Sequence, residues 1–127
     1  MSAPDLVAVL VAAVVLAAIA GVQVLVAAGR PHGRLVWGGR HEVLPRGLRI
    51  GSALSVPLYA AVVGALLVRA GAWGTAGTAA HVVAWVLVGY FALGVVLNAA
   101  SRSRPERLAM TPACVVLTAC CLVVASG

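Results

Sequence analysis

An all-α membrane fold, four helices paired as two hairpins, follows from two observations in this chain. Four apolar stretches occupy residues 6–28, 48–69, 79–100 and 108–126, and nearly all the charge is confined to two of the gaps between them. At 1.5 Å rise per residue each stretch covers the ~30 Å hydrocarbon core of a bilayer. Composition agrees: 63% of the 127 residues are hydrophobic and 9% charged, with a mean hydropathy of +1.10, more apolar surface than a soluble domain of this size can hide from water. The reading is a single four-helix transmembrane domain over 1–127.

The first stretch has no basic residue ahead of it and a longer apolar run than a secretory signal, so it is expected to be retained as a helix. Within it Ala13, Ala17 and Gly21 recur every fourth position, a groove that lets another helix approach closely, inside the bundle or in a homo-oligomer. Gln23 is its only strongly polar interior residue. The first connection is long for a hairpin, and its Trp37, Pro45 and paired Gly38-Gly39 favour an ordered loop that is more than a linker. Pro45 stops a helix from running through it, Pro105 is expected to do the same in the third connection, and the Gly-Trp-Gly-Thr-Ala-Gly run from Gly71 ends the second span.

Orientation follows from the arginines. The formal charge of +6 comes from nine basic residues, all arginine, against Asp5, Glu42 and Glu106. The first loop holds Arg30, Arg34, Arg40 and Arg46, with Arg49 opening the next span; the third holds Arg102, Arg104 and Arg107; the second has none and is bordered by Arg69. Short basic loops stay on the cytoplasmic side, so loops one and three are expected inside and both termini outside. Trp37 and Trp73 fall where an indole rests at head-group depth. A basic balance in a soluble protein suggests nucleic acid, but arginines flanking membrane spans point to anionic lipid head groups, with no nucleic-acid partner.

The first loop reads Gly29-Arg30-Pro31-His32-Gly33, then Trp37-Gly38-Gly39, Leu44-Pro45 and Arg49; the later segment reads Asn98, Ser101, Ser103, Glu106-Arg107 and Pro112. This resembles a widespread set of small, functionally uncharacterised four-helix bacterial membrane proteins with a Gly-x-Pro-x-Gly…Trp-Gly-Gly…Leu-Pro…Arg loop. The resemblance implies the architecture, a common cytoplasmic face and residence in the bacterial cytoplasmic membrane; it names no activity.

Candidate site residues come from helix faces. Ser52, Ser55 and Tyr59 share a face of span two; Tyr90, Gly94 and Asn98 share one of span three; Thr111, Cys114, Thr118 and Cys121 share one of span four. Such stripes avoid lipid and face the bundle interior. Gln23, Ser52, Ser55 and Asn98 are expected to gather near Arg49, Arg102, Glu106 and Arg107, either as a shallow site for an anion or lipid head group or as interhelical glue, with Asn98 bonded to Ser52, Ser55 or Gln23. Trp37, Arg40, His41, Glu42 and Arg46 mark the cytoplasmic first loop, and within it Arg40, His41 and Glu42 are read either as a proton-shuttling or phosphate-binding group or as part of a solvated basic loop. His81, one turn from the outer surface, reads as an interface residue with Trp85.

No acidic or basic residue lies deep in a span, which argues against ion-coupled transport. No histidine aligns with Cys114, Cys120 and Cys121, which read as packing residues, and no metal or cofactor is expected. There is no phosphate loop, serine elbow or carboxylate pair. The functional expectation is a small structural, accessory or lipid-interacting membrane protein; the alternatives are an oligomeric small-solute channel or transporter and a membrane enzyme acting on a phosphorylated lipid or isoprenoid. A deep polar path favours the channel, and a closed pocket combining Arg49, Asn98 and Glu106 favours the enzyme.

Overall fold

The computed structural model describes all residues, 1–127, as four helices with no strand: α1 (Ala3–Ala27), α2 (Arg46–Ala70), α3 (Thr78–Ala99) and α4 (Arg104–Ser126), with two short 3-10 turns between α1 and α2. All four are long and apolar enough to cross a membrane. Large side chains such as Val14, Leu54, Val86 and Leu97 remain 62–70% exposed, a surface that only a hydrocarbon solvent leaves unpenalised.

Residue contacts at the helix ends set the antiparallel order. Arg49 at the start of α2 reaches Ala27 at the end of α1. At the opposite pole Arg69, near the end of α2, reaches Ala125 and Gly127 at the end of α4, and Gly127 lies against Asp5 near the start of α1. Ser2 caps α1 by accepting the Asp5 backbone N–H. Gly29 and Gly71, both at φ +87, end α1 and α2 in the left-handed turn that returns two N–H groups to the last carbonyls.

The third connection is shorter than expected. Pro105 does not keep the chain out of a helix; it sits in the first turn of α4, where its missing N–H has no intrahelical partner to lose, and α4 therefore starts at Arg104. Pro57 and Pro112 lie inside α2 and α4, each removing one intrahelical hydrogen bond.

The core has two parts. The larger contains Ala12, Leu16, Leu66, Leu117, Cys121 and Val124 from α1, α2 and α4, together with Phe91 of α3. The smaller, Val26, Val36, Leu44 and Met110, lies beneath the first loop. α3 packs chiefly on α4 and touches α2 little. That uneven packing leaves a gap between the two hairpins.

Candidate functional site

The first loop is built to sit on the start of α4. Trp37, Gly38 and Gly39 are three successive residues at positive φ (54, 76 and 71), a conformation that two glycines adopt freely and a tryptophan rarely does. What holds Trp37 there is its indole: Nε1–H donates to Ser52 Oγ at 2.9 Å, and the ring lies over Gly51, where an added Cβ would stand 2.9 Å from Cζ2. The Gly38 N–H donates to Glu106 Oε2 at 3.1 Å, and the Ser103 hydroxyl donates to the Arg34 carbonyl. A side chain on Gly39 would collide with Ser103, and one on Gly33 with the carbonyls of His41 and Glu42.

Ser103-Arg104-Pro105-Glu106 carries the spacing of a capping box, yet neither side chain caps α4. Both are turned outward to tie down the first loop. Glu106, only 6% exposed, thus binds a backbone N–H contributed by the loop, in keeping with an anion held by main-chain donors.

Under this loop, between the two parts of the core, lies a cavity of about 1060 Å³. Its mouth carries Arg34, Arg40 and Arg102; its middle carries Gln23, Ser55, Tyr59, Tyr90, Asn98 and Cys114; its floor is Leu16, Phe91 and Leu117. From Glu106 to Leu117 along α4 it runs about 16 Å. Two other lining residues, Leu93 at 56% and Leu97 at 63%, are exposed on the outside of the bundle, so the cavity opens sideways along α3 as well as at the loop end.

Ser55 and Tyr59 of α2, Tyr90, Gly94 and Asn98 of α3 and Cys114 of α4 share the cavity with Gln23 of α1, whereas Ser52, Thr111, Thr118 and Cys121 do not line it, and the expected bonds do not form. Gln23 Nε2 donates to the Tyr59 hydroxyl at 3.1 Å. Asn98 Nδ2 donates to Gly94 O of its own helix at 2.8 Å and makes a 3.5 Å contact with Cys114 Sγ of α4; it does not pair with Ser52, Ser55 or Gln23. The reason is the helix pairing: α3 lies on α4, and an added Cβ on Gly94 would be 3.1 Å from Cys114 Sγ. Ser55 bonds back to Gly51 O, and Ser52, which does not line the cavity, accepts from Trp37, which does.

The arginines divide into two sets. Arg49 Nε donates to Ala27 O at 2.9 Å and Arg107 donates to Ser101 O at 3.0 Å, so both serve carbonyls at helix C-termini, where a cation is stabilised by the helix dipole. Neither lines the cavity. Arg34, absent from the sequence-derived set, does line it, and with Arg40 and Arg102 it is exposed. Only loop charge hinted at Arg34; its neighbours in sequence say nothing of the turn that brings it over the mouth. Arg46 lies beside Arg49 in a separate shallow groove. His41 and Glu42 are exposed and lie outside the cavity; what the fold uses is the Glu42 carbonyl, which accepts the Gly33 N–H at 2.8 Å.

No group of three or more His, Cys, Asp or Glu converges in a way that would hold a metal ion. Cys120 and Cys121 are buried as free thiols in the larger core. His81 and Trp85 pair edge to face, ring centroids 6.5 Å apart, at the start of α3. No protein-family model, curated protein or solved structure matches this chain.

Proposed function

We propose that this is a lipid-interacting protein of the bacterial cytoplasmic membrane, allied to the small four-helix proteins that its loop resembles, and that an anionic lipid occupies the cavity. The phosphate lies among Arg34, Arg40 and Arg102, facing the cytoplasm as the arginine bias directs. The hydrocarbon runs toward Leu16 and Phe91 and leaves sideways past Leu97. The observation that carries this reading is the polarity of the cavity: cationic at the loop end, apolar at the floor, and open toward the surface that faces hydrocarbon.

A path through a single chain is disfavoured, because the rest of the larger core, with Leu66 and Val124 fully buried, stands beyond the floor. The enzyme reading loses one of its three required groups, since Arg49 is committed to the end of α1.

The test is competitive lipid binding followed by native mass spectrometry. The protein is expected to prefer phosphatidylglycerol to phosphatidylcholine, and the triple replacement of Arg34, Arg40 and Arg102 by glutamine to reduce that preference by up to about a hundredfold, at about 1 kcal/mol per arginine near an anionic group. An unchanged preference in the triple variant would overturn the proposal.

A further inference from the structure

Gln23 carries a requirement that the chain itself does not meet. It is 7% exposed and lines the cavity; its Nε2 donates to Tyr59, while its Oε1 is buried with no donor at all. An unpaired buried amide oxygen bears its full desolvation cost with nothing to offset it. Because the Tyr59 oxygen already accepts from Gln23, the tyrosine's own proton is left to donate elsewhere. Side by side in the cavity wall, the pair thus offers one acceptor and one donor.

That combination is the complement of an alcohol. An ester carbonyl accepts but cannot satisfy Oε1, and a methylene does neither. Position narrows the choice further. Gln23 is four residues before the end of α1, about 6 Å below the level of the loop, and the cavity continues about 10 Å beyond it to Leu16. A group bound there lies between a phosphate at the arginines and a chain on the apolar floor.

We infer that the lipid held here carries a free hydroxyl on the chain side of its phosphate, as a lysophospholipid does and as a fully acylated phospholipid or a polyprenyl phosphate does not. This deepens the lipid-binding reading above and rests on it. The hydroxyl donates to Gln23 Oε1 and accepts from the Tyr59 hydroxyl, while the arginines hold the phosphate.

The deciding comparison uses the wild-type protein in detergent with 1-acyl lysophosphatidylglycerol, its 2-O-methyl ether and lysophosphatidylcholine, followed by native mass spectrometry. Loss of the donor is expected to weaken binding of the ether about tenfold, the worth of the one hydrogen bond to the buried Gln23 Oε1. Gln23→Met is expected to shrink that ratio and leave ether binding within about twofold of wild type, since the ether donates nothing to Oε1, whereas Tyr59→Phe is expected to weaken alcohol and ether alike, because both oxygens accept from the tyrosine. Equal binding of the free alcohol and its ether, both better than lysophosphatidylcholine, would show that water satisfies Oε1; it would overturn this inference and leave the anionic-lipid reading standing. If neither anionic form binds better than lysophosphatidylcholine, both fall together.

Discussion

Trp37 joins two features that pull against each other, a left-handed backbone and a buried polar contact. Holding a bulky residue at φ 54 costs of order 1–3 kcal/mol and persists only where the surroundings over-determine it. Here they do so through the indole, which bonds Ser52 and covers Gly51. Ser52 is completely buried, so removal of the indole N–H leaves its hydroxyl without that donor. Trp37→Phe and Ser52→Ala are each expected to lower stability by about 1 kcal/mol, and the double variant to lose less than the sum, with a coupling of about 0.5–1 kcal/mol in a double-mutant cycle. Thermal unfolding in detergent reads this directly. Fully additive losses would mean that the bond contributes nothing and that ring packing alone holds the loop.

Helix ends show why counting arginines in loops is not enough to assign their roles. The last turn of α1 has no basic residue of its own; Arg49 of α2 supplies the cation, its guanidinium resting against Gly29. Arg107 does the same just beyond α3, and Arg69 at the end of α4. Each such contact is worth about 0.3–1 kcal/mol, more where it is partly buried. Arg49→Gln and Arg107→Gln are therefore expected to lower the unfolding temperature without altering the preference for phosphatidylglycerol. Replacement of Arg34, Arg40 and Arg102 should do the reverse. Lipid competition and thermal unfolding on the same samples separate the two sets; a lost preference in the Arg49 variant would place that residue at the lipid and contradict the division drawn here.

At the scale of the whole molecule the arrangement is two hairpins joined firmly at one pole and loosely along the side. The large core ties α1, α2 and α4 together far from the basic loops, while near those loops the hairpins part around the cavity and the first loop bridges them through Glu106 and Ser103. This assigns opposite poles to the basic loops and to the Gly71–Gly77 connection. With Cys114, Cys120 and Cys121 replaced, single cysteines at Arg40 and Arg104 are expected to resist an impermeant thiol reagent in intact cells, and one at Gly74 to react. Labelling at Arg40 but not at Gly74 would invert the orientation and put the cavity mouth outside.

Helix number and approximate boundaries were legible from residue order alone, because a helix in hydrocarbon must satisfy its own backbone. Of the polar stripes, Tyr59, Gly94, Asn98 and Cys114 line the cavity, Tyr90 lines it with 56% of its surface still exposed, and Thr111, Thr118 and Cys121 do not reach it. Partner choice was not legible. Asn98 meets Cys114 because α3 docks on α4, Glu106 leaves its own helix end for Gly38, and Arg49 and Arg107 turn to carbonyls while Arg34 turns to the cavity. Each of these outcomes sets one hydrogen-bond acceptor against another at similar cost. Which one is within reach depends on the crossing of helices and the path of a left-handed turn, and those exist only once the chain is folded.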